Sequence, residues 1–282
     1  MAVRLYSNVS ELREIVNQQR GRNRTIGFVP TMGFLHKGHQ SLIKASRDHG
    51  NFTVVSVFVN PTQFGPNEDF KTYPRDSERD FELCKAAGGD FVWFPEVNDV
   101  YPKGSDTTVI PGALAGCLCG ASRPRFLSGV LTVVLKLFNI IRPDRAYFGE
   151  KDFQQLVVIR RMTADFFMDI DVKGCPTVRE PDGLAMSSRN VRLKSEKERD
   201  LALTLYRIIL KAREAFGNGG RDAAALKESL MSLWPFDITL DYLDFRNPIS
   251  LEEESVLALD TRIFLGAWLN GIRLIDNSPL VE

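Results

Sequence analysis

Histidine is scarce in this chain, three residues in 282. Two of the three, His36 and His39, fall inside one string, Val29-Pro30-Thr31-Met32-Gly33-Phe34-Leu35-His36-Lys37-Gly38-His39. Two imidazoles one helical turn apart face the same side of a helix, and Gly33 and Gly38 let the backbone approach a ligand closely. An apolar run precedes the string and an apolar-periodic segment follows it. A strand therefore leads into a helix whose free N–H groups can meet a phosphate, which makes this a candidate nucleotide phosphate site. Zinc would need a third and a fourth ligand, and His49 stands a strand–helix unit away with no acidic partner pattern beside it. A pair of helix-capping histidines is the competing structural reading.

Three further strings place polar groups where strands should end. Phe148-Gly149-Glu150-Lys151-Asp152-Phe153-Gln154-Gln155 offers one cation that can reach phosphate and amides that can read a small polar substrate. A solvated turn would look the same. Asp182-Gly183-Leu184-Ala185-Met186-Ser187-Ser188-Arg189-Asn190 combines hydroxyls, backbone N–H groups and Arg189, able to close over a polyphosphate as pyrophosphate departs. An ordinary polar linker shares that composition. Val59-Asn60-Pro61-Thr62-Gln63-Phe64 carries two neutral amides, Asn60 and Gln63, with no base to activate, which suits orientation of a carboxylate or hydroxyl.

The elements that must position these strings follow from hydrophobic periodicity. Apolar, β-branched and aromatic runs at 25–29, 52–59, 90–94, 145–148 and 170–172 predict buried strands. Helical patterns at 41–48, 77–87, 129–141 and 153–166 alternate with them, which predicts an α/β domain with a mostly parallel sheet over 1–176. In such a sheet all four strings lie on one edge. After residues 180–190 the pattern changes: helices are expected over 195–216 and 221–233, then strands over 238–245, 262–269 and 272–275. Asn270-Gly271 between the last two is a hairpin signal. A smaller α+β domain is therefore expected over 177–282.

Composition narrows the function classes. Lys plus Arg and Asp plus Glu number 36 each, so no global field draws a nucleic acid. The four cysteines, Cys84, Cys117, Cys119 and Cys175, lack zinc-cage spacing and read as reduced thiols. No targeting pattern opens the chain, and the longest apolar stretch, 131–141, is too short to span a bilayer. A soluble cytoplasmic protein without a membrane or nucleic-acid partner is expected.

With these residues in place, the chain resembles the pantothenate synthetase family, the pantoate:β-alanine ligases. VPTMGFLHKGH, FVNPTQF, YFGEKDFQQL and DGLAMSSRN occur in order between Gly27 and Asn190, and RLIDN follows at 273–277. The resemblance implies a Rossmann-like nucleotidyltransferase domain with a smaller C-terminal lid, usually as a homodimer. It implies an ATP- and Mg²⁺-dependent condensation of (R)-pantoate with β-alanine through pantoyl adenylate, releasing pyrophosphate and AMP. Carried over residue by residue, Met32, Gly33, Phe34, Leu35, His36, Lys37, Gly38 and His39 match an ATP loop, with His39 the proton donor and His36 beside the phosphates. Gly149, Glu150, Lys151 and Asp152 match a second ATP segment in which Lys151 stabilises the α-phosphoryl transition state. Val178, Met186, Ser187, Ser188 and Arg189 match the remaining ATP contacts, Arg189 among the catalytic groups. Gln63 and Gln155 match the amides that hold pantoate, with Asn60 beside them as a substrate residue. No dedicated metal ligand is implied.

One departure stands out. Where the family reads Arg-Pro-Gly-His-Phe-x-Gly-Val, this chain has Arg123-Pro124-Arg125-Phe126-Leu127-Ser128-Gly129-Val130, so Phe126 replaces a histidine. Arg123, Arg125 and Ser128 are candidates for the missing donor. Arg125, where the family has Gly, is the expected substitute, and a solvated Arg125 with a dispensable contact is the alternative. Two rival functions remain. A transferase with the same HxGH loop acting on another small acceptor would leave the nucleotide on its product and would want extra basic residues for a phosphorylated acceptor. A nucleotide-sensing module would not need His39, Lys151 and Arg189 together.

Overall fold

The computed structural model describes residues 2–66 and 68–281. Six parallel strands, β1 Val3–Tyr6, β2 Ile26–Thr31, β3 Phe52–Val57, β4 Phe91–Phe94, β5 Arg145–Gly149 and β6 Asp171–Cys175, form one sheet in the order β1-β4-β3-β2-β5-β6. The connections carry helices α1 Val9–Gly21, α2 Lys37–Asp48, α3 Ser77–Ala86, α4 Val97–Val100, α5 Leu118–Ser122, α6 Phe126–Ile141 and α7 Phe153–Asp165. Both faces of the sheet are covered, which is why its central strands read as continuous apolar runs. Along β2, Ile26 and Phe28 enter one core layer with Leu12, Leu137, Phe138 and Ile159, while Val29 enters the other with Leu42, Ile43 and Cys84.

The chain's first strand and helix depart from expectation, which began the sheet at residue 25. β1 is an edge strand in which only Leu5 is buried, and α1 buries only Leu12 and Val16, so neither shows an apolar run. The strand expected at 170–172 runs over β6 instead. Continuing the chain, the helix expected over 195–216 is two, α8 Glu196–Ala202 and α9 Thr204–Gly217, and α10 Ala223–Met231 follows.

The C-terminal sheet is antiparallel, with β7 Thr239–Arg246, β8 Arg262–Leu269 and β9 Ile272–Pro279 in sequence order. Asn270 and Gly271 both take positive φ, 48° and 74°, as a tight two-residue hairpin demands. Ile263, Leu265 and Ala267 of β8 face a second core with Ile208, Ile209 and Phe216. Phe264, pointing the other way, joins the first core and meets Phe153 with ring centroids 6.0 Å apart. β9 extends four residues beyond the apolar run at 272–275 because its polar end is buried against the larger sheet's loops, as described below.

Candidate active site

β2 lies at the centre of the sheet; the chain proceeds from it to β3 and β4 on one side and to β5 and β6 on the other. That reversal opens a crevice at the strand C-termini. The loops after β2, β3, β5 and β6 border one cleft of about 550 Å³, within the usual range for small-molecule sites.

The β2–α2 loop is held by a carboxylate from another helix. Gly33 and Phe34 take φ of 81° and 50°, a turn that bulky Phe34 would not adopt unaided. Asp80 of α3, 1% exposed, accepts the Phe34 and Leu35 N–H groups at 2.8 and 2.7 Å. A Cβ on Gly33 would stand 2.9 Å from Asp80 Oδ2. His36 then caps α2: its Nδ1 accepts the Gly38 N–H at 3.1 Å, while the His36 N–H donates to His39 Nδ1 at 3.3 Å. A neutral ring that accepts at Nδ1 carries its proton on Nε2. Both imidazoles are therefore preset as Nε2–H donors, with ring centroids 4.1 Å apart. Burial, then the Lys151 charge, lowers the His36 pKa to about 4. Burial, His36 and Lys151 in that order hold His39 well below the usual imidazole value. The rings are neutral at pH 7.

The β3 loop presents Gln63 through Asn60. Asn60, buried, accepts from the Thr62 N–H and the Tyr101 hydroxyl and donates to Gln63 Oε1 and the Gly129 carbonyl, both at 3.1 Å. Its amide organises the loop from the cleft wall. Gly129 permits this contact, since a Cβ there would lie 2.4 Å from the Thr62 carbonyl oxygen. Gln63 Nε2 lies 2.8 Å from Met32 Sδ. Across the cleft Gln155 lines the wall, whereas Gln154 turns away and donates to the Leu114 and Cys117 carbonyls.

The β5 loop is tied down by the C-terminal sheet. Asn277 Nδ2 donates to the carbonyls of Glu150 and Lys151 at 2.9 and 2.8 Å, and Arg262 pairs with Glu150 at 3.0 Å while lying 3.7 Å above the Phe153 ring. Asp276 holds Arg179 with bonds of 2.6 and 3.0 Å. These bonds bury the polar end of β9 and point Lys151 into the cleft, 3.8 Å from Asp152. Asp80 and Arg262 were not singled out from sequence, and Asn277 entered only as the end of the RLIDN string with no role, because each acts on a partner distant along the chain.

Opposing charges close the cleft. Arg189 pairs with Asp69 through two bonds of 2.9 and 3.0 Å, and Arg192 reaches the same carboxylate at 3.1 Å. Burial pushes Asp69 up, but the Arg189 hydrogen bonds and charge, a backbone N–H and the Arg192 charge together hold the carboxyl below its ordinary value. Ser188 donates to the Phe34 carbonyl at 3.1 Å, joining this loop to the first. Arg123 lines the cleft with its guanidinium 3.8 Å above the Phe126 ring and paired with Glu68. Arg125 is exposed and away from the cleft wall, so the expectation that it supplies the missing donor is corrected: the cation beside Phe126 is Arg123.

Of the residues that the resemblance assigns to the site, Gly33, Phe34, Leu35, Lys37 and Glu150 lie outside the cleft wall, and all the others line it. The Phe34 and Leu35 N–H groups are already taken by Asp80, and the Leu35 side chain is in the core. No group of three His, Cys, Asp or Glu side chains among the described residues is placed to hold a metal ion. No helix among them is long and apolar enough to cross a membrane.

Residues 4–279 match the family described as Pantoate-beta-alanine ligase. The chain is 46% identical over 280 residues to a pantothenate synthetase of Thermotoga petrophila, covering 99% of this chain and 100% of that one. Among solved structures it is similar to pantothenate synthetase from Thermus thermophilus, with TM-score 0.91, 43% identity and full coverage of both chains. It is also similar to pantoate-beta-alanine ligase from Francisella tularensis, solved with a β,γ-ATP compound and β-alanine, with TM-score 0.82, 35% identity and coverage of 99% and 98%.

Proposed function

The chain belongs to the pantoate–β-alanine ligase family and is a ligase, and from that premise we propose that the crevice between β2 and β5 condenses (R)-pantoate with β-alanine in two steps. A carboxylate oxygen of pantoate attacks the α-phosphorus of ATP, the α–β bridging bond breaks, and pyrophosphate leaves with that electron pair. The amine of β-alanine then attacks the acyl carbon, the bond to AMP breaks, and the nitrogen loses a proton.

The observation that carries this reading is the meeting of two neutral Nε2–H imidazoles with Lys151 at the switch point of the sheet. Fixed donors of this kind favour charge that grows on phosphate oxygens during transfer. In this reading His36 and His39 stabilise the phosphate oxygens and the departing bridge, Lys151 the α-phosphate, and Ser187 to Arg189 the pyrophosphate. Arg189 must exchange Asp69 for phosphate on binding. Gln63, oriented by Asn60, and Gln155 hold pantoate.

Mg²⁺ belongs to the reading as an ion brought by the ATP phosphates, where it supplies further charge neutralisation. Residues 177–282 act as a lid domain on the catalytic domain 1–176, the enzyme works as a homodimer, and its compartment is the cytoplasm. The test is pyrophosphate exchange. With ATP, Mg²⁺ and pantoate but no β-alanine, labelled pyrophosphate should enter ATP; exchange that waits for β-alanine would refute the adenylate route.

A further inference from the structure

Arg123 is a cleft cation that the two steps above leave without a task. It comes from the junction of α5 and α6 and lies over Phe126, its carbon Cζ 3.8 Å from the ring centroid. Its Nε donates to Glu68 Oε1 at 2.7 Å, Nη2 donates to Glu68 Oε2, and the same nitrogen reaches the Gln63 carbonyl at 3.3 Å. A guanidinium edge meeting both oxygens of one carboxylate is the fork geometry that recognises carboxylates as a class. The Phe126 ring packs against the fork, and the Gln63 contact places it beside the amide assigned to pantoate. The Glu68 carboxylate shows that this position is shaped for a carboxylate.

We propose that Arg123, packed against Phe126, receives the carboxylate of the incoming β-amino acid, and that Glu68 competes with that substrate for the fork. The proposal rests on the ligase reading above. Two substrates bring carboxylates, and their fates differ. That of pantoate becomes a mixed anhydride in the first step and loses its charge, so a permanent cation paired with it would oppose the reaction. That of β-alanine stays ionised from binding to product release, which suits a guanidinium that is charged at every working pH. Holding the acid end also leaves the amine free to shed its proton and attack. Phe126 is thus a positioning residue: it cannot donate a hydrogen bond, but its ring sets the orientation of one that can.

The experiment separates the two steps and the two ends of the amino acid. Pyrophosphate exchange without amine, the KM for pantoate, the KM for β-alanine and the ratio of kcat/KM for β-alanine over β-alaninamide are measured for the unaltered enzyme, Arg123→Gln, Phe126→Leu and Glu68→Gln. Arg123→Gln should raise the β-alanine KM by roughly 30-fold and erase the preference for acid over amide, while exchange stays within about threefold. Phe126→Leu should move the same ratio by about fivefold. Glu68→Gln, a weaker competitor for the fork, should lower the β-alanine KM. An unchanged acid-to-amide ratio in Arg123→Gln overturns the proposal, as does a rise confined to the pantoate KM or a matching collapse of exchange. Absence of exchange in the unaltered enzyme would instead remove the adenylate route on which the proposal rests.

Discussion

His36 and His39 are held neutral by burial and by the Lys151 cation, and the same shift makes stability depend on pH. An unfolded chain protonates histidine near 6.5, whereas folded His36 waits until about 4. Between those values the unfolded state binds a proton that the native state refuses, so stability falls as the pH drops from 6.5 toward 4. At pH 5 this amounts to about 2 kcal/mol. His36→Asn keeps a capping side chain and removes the titration. Its melting temperature should fall less than that of the unaltered protein between pH 7 and pH 5, and parallel curves would disprove the assignment. In catalysis the loss of one fixed donor costs about 3 to 4 kcal/mol. Lys151→Ala and His39→Ala should each lose at least roughly 100-fold in kcat with unchanged circular dichroism. A variant within a few-fold of the unaltered enzyme would take that residue out of the mechanism.

The loop after β2 is an element that does not hold itself. Its two successive positive φ values are offset by the Asp80 carboxylate, which is itself pushed above its ordinary pKa by burial despite the two N–H groups it accepts. Asp80→Ala leaves those donors unpaired in a buried setting, at about 1 to 3 kcal/mol each. Urea unfolding should therefore show a loss of about 2 to 6 kcal/mol. Since the loop carries His36 and His39, the KM for ATP should rise as well. A drop in stability with the ATP KM unmoved would limit Asp80 to packing.

Across the whole molecule, the C-terminal sheet reaches back to the catalytic loops through Asn277, Arg262 and Asp276. Asn277→Ala should release the Lys151 backbone and lower kcat roughly tenfold, beyond the loss of about 2 kcal/mol in stability expected for the two carbonyls it leaves unpaired. A loss of stability with kcat unmoved would make the contact a general brace. The homodimer proposed above predicts a mass by light scattering of twice the 31.8 kDa of one chain. A single-chain mass under assay conditions would discard it.

Local pattern determined a great deal by itself. The buried strands β2 to β5 were legible as apolar runs because a parallel sheet covered on both faces admits little polarity, and Asn270-Gly271 marked its hairpin because few residue pairs tolerate two positive φ values. The four polar strings were legible because strand-to-loop-to-helix transitions are encoded within a dozen residues. β1 and α1 escaped because an edge strand and a helix burying two side chains leave almost no periodicity. Only the tertiary structure decided which carboxylate holds the β2 loop, which face of β9 is buried and which arginine stands beside Phe126. Those pairings join residues separated by 46, 126 and 55 positions, as with Asp80 to Phe34, Asn277 to Lys151 and Glu68 to Arg123. Hydrogen bonds and ion pairs act over a few ångströms in space, and the packing of the sheet, not spacing along the chain, brings their partners within that range.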